Sequence, residues 1–297
     1  MISIGYRPWS RFTRRTFQAY CQAHNYDFAF IDDDAELIGV DLDALTDERG
    51  RKNKHIYGGK AYIPWHYLVE YGYQRVAVVD DSCSISADCP PLFDLVPENS
   101  LGGTRTSENH AQLCFEQIRK HMSDGENLDY NANDYMASGL LVYGSSLADA
   151  ISPCRIKSAS SLLNSKHPHQ TLTYYLMKTK KIPFFILPPA FLRLPGLDLP
   201  DADRRRMKRM RPQDFEGAYV WAVSSVYRYR LVLASRIAIQ QKFIWDSRTS
   251  GSALANLNLA ISMMALGQSW LVQLVRQWVP RLFTGSARRI KKLFSKL

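Results

Sequence analysis

Arg75-Val76-Ala77-Val78-Val79-Asp80-Asp81-Ser82 is the stretch that decides the fold. Its apolar run does not alternate, and three of its residues are β-branched valines. Such a run reads as a strand buried on both faces rather than one with a wet side. A strand covered on both sides needs a layer above and a layer below, which is the α/β arrangement. In open sheets of that class, ligands sit beyond the carboxyl ends of the strands. Asp80 and Asp81 stand at such an end. Taken alone, two aspartates after a strand are equally a turn or a helix cap.

Working outward, the chain alternates strand and helix signals. Ile2-Ser3-Ile4 reads as a strand, 11–23 as a helix and 26–31 as a second strand stopping at Asp32-Asp33-Asp34. A charged stretch over 46–54 reads as a loop. The pattern predicts helices over 59–70, 111–121 and 169–178, with Pro64 near the start of the first or kinking it. Ser138–Tyr143 and Pro183–Leu187 read as further strands. Strand–helix alternation implies crossovers and a mostly parallel central sheet flanked by helices. After residue 235 the pattern changes. The expected organisation is a folded domain over 1–235 and a helical, basic extension over 236–297.

The chain has 297 residues and a net charge of +10. Its five cysteines form no C-x-x-C pair, and an odd count is awkward for a disulfide framework, so a reducing cytoplasm is the simplest compartment. No signal peptide is visible at Met1. The positive charge is clustered. After Asp246 come Arg248, Arg276, Arg281, Arg288, Arg289, Lys291, Lys292 and Lys296, with no acidic residue among them. A second run spans Arg204 to Arg211. Clusters of this kind suit an anionic partner. Residues 251–275 carry no charge and are long enough to cross a bilayer, but Asn256, Asn258, Gln268 and Gln273 argue against a spanning helix. In the last segment Ile290, Leu293, Phe294 and Leu297 share one helical face. With Trp270 and Trp278 upstream, 268–297 reads as an interfacial anchor on an anionic membrane, in preference to a helix docked on protein. Nucleic-acid binding is disfavoured, because no known module accompanies the basic runs. There is no P-loop, nucleophile elbow or dinucleotide fingerprint.

A longer series resembles a known family. Lys60, Leu68, Tyr71 and the Arg75–Ser82 strand, followed by Pro91-Leu92-Phe93, are similar to the "K…L…Y…D-x-D…P-x-L-F" stretch of family 8 and related GT-A glycosyltransferases. Tyr20–Asp27 before it, and Tyr135–Val142 and His169-Gln170-Thr171 after it, look like further family landmarks, in order, over about residues 2 to 230. The resemblance implies a GT-A fold, a nucleotide-sugar donor, and a glycan, lipid-linked or protein acceptor; the basic, amphipathic C-terminus suits an acceptor held at the cytoplasmic face of a membrane. It also implies roles. Tyr6 would stack on the base, while Arg7 and Lys60 would reach the phosphates. Asp80, Asp81 and Ser82 would form a DxD-like donor motif, with Asp80 and Asp81 holding Mn²⁺ or Mg²⁺. Gly139 would admit the sugar close to backbone, with His169 and Gln170 beside the donor. Asp134 and Gln170 are the candidate catalytic side chains. Bland readings stand beside these: Tyr6 in the core, Lys60 on a solvated helix, Gly139 relieving a crowded strand.

Departures from the family pattern are specific. Ser82 stands where the family has a second metal aspartate, Ala137 where it has asparagine and His169 where it has aspartate. The late family histidine would fall within Tyr219–Ser224, which contains none. A weak metal site, or none with basic side chains such as Arg204–Arg211 in its place, follows from that. The same losses suit a second reading, a non-catalytic GT-A-like scaffold.

Overall fold

The computed structural model describes residues 1–4, 10–31, 53–86, 88–193 and 217–222. The expectations for Tyr6, Arg7, Asp32–Asp34, Arg204–Arg211 and the extension over 236–297 lie outside these residues. By internal contacts the chain divides after Ala234, and every described residue belongs to the first unit.

Six strands form the central sheet in the order β2-β1-β3-β6-β5-β7. They are β1 (Ile2–Ile4), β2 (Ala29–Ile31), β3 (Arg75–Asp80), β5 (Leu101–Arg105), β6 (Met136–Gly144) and β7 (Phe184–Leu187). β1 pairs in parallel with β2 and β3, and β5 in parallel with β7. β6 runs antiparallel to both its neighbours, β3 and β5. The sheet is therefore mixed: five strands point one way, and the carboxyl ends of those five share an edge with the start of β6. A separate two-stranded ribbon joins β4 (Cys83–Ile85) to β8 (Val220–Ala222), with Cys83 opposite Ala222.

Alternation along β3 divides the core. Val76 and Val78 face a cluster built on α2 (Asn53–Val69), α4 (Glu108–His121), α5 (Pro153–Ser158) and α6 (Pro168–Thr179). Ala77 and Val79 face the other cluster, with α1 (Ser10–Ala23) and the β4–β8 ribbon. A one-turn helix, α3 (Leu92–Leu95), caps that side. α1 buries Thr13, Thr16, Phe17, Tyr20 and Cys21, a stripe at i, i+3, i+4, i+7 and i+8. It stops where Asn25 takes the left-handed conformation, φ 55°. α4 repeats the stripe with Ala111, Cys114, Phe115 and Ile118. α2 begins at Asn53, within the stretch read as loop, and contains Pro64. Proline has no N–H to give the carbonyl four residues back, so the helical bond to Lys60 is lost there.

β6 carries the main irregularity. Between its pairings with Gly103 and Arg105, β5 advances from 103 to 105 while β6 advances from 136 to 141. The extra residues reverse the phase: Met136 and Leu141 point into one core cluster, Ala137 and Leu140 into the other. Gly139 lies inside this bulge, beyond the last β3 pairing at Leu140. Bulges of this sort re-aim side chains at a sheet edge.

Candidate functional site

The period-2 rule that sends Val76 and Val78 toward α2 and α6 sends Asp80 the same way. At that point Lys60, projecting from α2, donates from Nζ to Asp80 Oδ1. The pair is recessed, with side-chain exposures of 9 % for Lys60 and 25 % for Asp80. His169, in the first turn of α6, completes the cluster. It is 2 % exposed, and neither ring nitrogen has a hydrogen-bond partner. Burial depresses its pKa to about 3; the Lys60 ammonium pushes in the same direction and Asp80 opposes. The imidazole is thus neutral at working pH.

Asp81 follows on the opposite side and is 2 % exposed. α1 fixes the backbone there. Thr13 Oγ1 donates to the Asp81 carbonyl at 2.8 Å, and Thr16 Oγ1 accepts from the Ile85 N–H at 3.2 Å while donating to the Thr13 carbonyl at 2.7 Å. Sequence reasoning missed these two threonines. Their signal was available: two hydroxyls within the buried stripe of an amphipathic helix, where polar atoms need partners. Ser82 is buried between this clamp and the β4–β8 ribbon.

Other sequence-chosen residues fall elsewhere. Asp134 lies just before β6, and its carboxylate accepts from Lys178 Nζ at 3.0 Å. Lys178 is held over the rings of Tyr174 and Phe184. Residues 169 and 178 lie about 13 Å apart along a helix axis, so Asp134 is anchored at the far end of α6 from the Lys60–Asp80 pair. Gln170 turns into a small cavity lined by Leu101, Met136, Thr173 and Phe184. At Gly139 an added Cβ would meet Leu192 at 3.0 Å and Cys83 Sγ at 3.6 Å. The space above it is filled by side chains of this chain.

The donor set bears on the metal that the resemblance implies. Among the described residues, no three His, Cys, Asp or Glu side chains gather as metal ligands. The Asp80 carboxylate already accepts an ammonium. No histidine follows His169 anywhere in the chain. These groups do not fit a divalent-metal site.

No family model and no curated protein sequence matches the chain. Solved structures similar to it include a glycosyltransferase involved in glycosylation of the major capsid of PBCV-1. That likeness has 10% identity, covers 80% of this chain and 96% of that one, and has a TM-score of 0.48. Mouse xyloside xylosyltransferase 1 aligns at 11% identity over 75% of this chain and 97% of its own, with a TM-score of 0.46. Galactosyltransferase LgtC, with donor and acceptor sugar analogs, aligns at 14% identity over 75% of this chain and 86% of its own, with a TM-score of 0.43.

Proposed function

We propose that this chain is a glycosyltransferase of the GT-A type, moving a sugar from a nucleotide-diphosphate donor to a glycan, lipid-linked or protein acceptor at the cytoplasmic face of a membrane. One observation carries the reading. Lys60, Asp80 and His169 are far apart in sequence, each belongs to the motif series of the resemblance, and they meet at the carboxyl edge of the sheet. That edge is where open α/β sheets bind ligands. A recessed ammonium there is suited to a diphosphate, because lysine is a compact charge that binds phosphate well.

A second reading is favoured by Ser82, Ala137 and the missing late histidine: a scaffold that holds the donor without turning it over. The two separate in one assay. The purified chain is incubated with UDP-, GDP- and dTDP-sugars, and release of nucleoside diphosphate is followed. Release with one donor class supports the enzyme. Release here is donor hydrolysis, with water taking the sugar; donor binding without release favours the scaffold, and neither binding nor release with any donor sinks both.

A further inference from the structure

We infer that the Lys60 ammonium occupies the place of a divalent cation in this chain, so that the site takes a nucleotide diphosphate without a metal ion. The inference rests on the donor-binding reading above and concerns its cofactor requirement.

Three observations at the end of β3 carry it. The first is the ion pair. Mg²⁺ and Mn²⁺ are held by several oxygen ligands, carboxylates chief among them. Asp80 instead accepts a hydrogen bond from Lys60, whose side chain is 9 % exposed while that of Asp80 is 25 % exposed. An ion arriving at Asp80 would meet an ammonium a few ångströms away in a poorly screened setting, where like charges repel strongly.

The second is His169. The resemblance has aspartate at this position, and an aspartate beside Lys60 would compete with Asp80 for the ammonium. It would also leave the cluster net negative, which favours a cation. An imidazole buried at 2 % exposure, with neither nitrogen bonded, adds no charge. Lys60, Asp80 and His169 then sum to zero, and the next carboxylate, Asp81, lies on the opposite side of the strand end.

The third is the lack of a substitute ligand. Ser82 replaces one carboxylate, and the chain contains no histidine beyond position 169. Ala222, at the end of the late strand, lies opposite Cys83 in the ribbon that follows the acidic end. None of the late-strand residues Val220, Trp221 and Ala222 is a metal-ligand type. An ammonium has three N–H donors, of which Asp80 Oδ1 takes one.

Isothermal titration of the full chain with UDP, GDP and dTDP, in EDTA and then with Mn²⁺, tests this. The expected result is one nucleotide diphosphate binding in EDTA, with a Kd that Mn²⁺ changes by less than about threefold. Lys60→Met should weaken that binding at least about tenfold in EDTA. Mn²⁺ should recover part of the loss, since Asp80 is left as an unpaired carboxylate. His169→Asp should make the affinity Mn²⁺-dependent. Lys60→Arg keeps the charge and guards against a folding defect, and it should still bind in EDTA. Wild-type binding seen only with Mn²⁺ overturns the inference and leaves the donor reading intact. Absence of binding in both buffers overturns the donor reading and this inference together.

Discussion

His169 makes a prediction that the ion pair beside it does not. Its pKa falls from 6.5 to about 3 in the folded chain, through burial first and the Lys60 charge second. The unfolded chain therefore binds a proton below pH 6.5 that the folded chain refuses. Stability is complete above that pH and declines as the pH falls toward about 3, by up to about 1.4 kcal/mol for each unit. His169→Gln, which has no titrating ring, should flatten this acid limb. Urea midpoints of the two proteins measured between pH 7 and pH 4 check it: parallel curves would remove His169 as the source. At this scale the site was half legible. Asp80, Lys60 and His169 were all named from their motifs, but nothing in a spacing of 20 residues shows that Lys60 and Asp80 bind each other. Gln170 and His169, adjacent in sequence, point to different places for a simple reason. On a helix, neighbours diverge by about 100°, so His169 meets the ion pair while Gln170 enters a cavity under β5.

Elements were read well where their period was long and poorly where they were short. α1, α4 and α6 carry stripes or runs that fix their place. β5 was missed because Gly102 and Gly103 lower the strand signal of a run whose ends are Leu101 and Arg105. β4 and β8 have three residues each and draw their stability from one another, across more than 130 residues of chain. The direction of β6 was illegible too. Its composition is that of any buried strand, and only its pairing with β3 and β5 sets it antiparallel. The end of β6 offers a test of how tightly this sheet is closed. A Cβ on Gly144 would lie 1.9 Å from the Glu98 carbonyl oxygen, yet its φ of −96° suits any residue. The constraint is close backbone approach rather than conformation. Gly144→Ala should therefore destabilise the domain by about 3 kcal/mol, the upper range for overpacking against backbone that cannot yield. Ser145 and Ser146 bond to Glu98 from the same turn and hold it in place. A thermal midpoint equal to that of the wild type would show that the turn over 97–100 moves freely.

Across the whole molecule, packing rather than cross-linking holds the fold. All five cysteines are thiols, four of them buried, so no cross-link supports the fold and its core does that work. No helix among the described residues is long and apolar enough to cross a membrane. The expectation of a membrane anchor comes from the sequence of the basic segment over 268–297. A Lys or Arg near an anionic surface contributes about 1 kcal/mol. Exchanging Arg288, Arg289, Lys291 and Lys292 for glutamate in the full chain should thus weaken sedimentation with phosphatidylserine-containing vesicles at least about a hundredfold. The wild type should bind those vesicles less as salt rises, because exposed charges are screened within about 10 Å at 0.1 M. It should leave purely zwitterionic vesicles in the supernatant. The apolar face of Ile290, Leu293, Phe294 and Leu297 predicts a residue of salt-resistant binding once the segment is seated. Equal sedimentation of the charge-reversed and wild-type chains would assign the basic cluster to another anionic partner, and would separate membrane attachment from donor binding at Lys60.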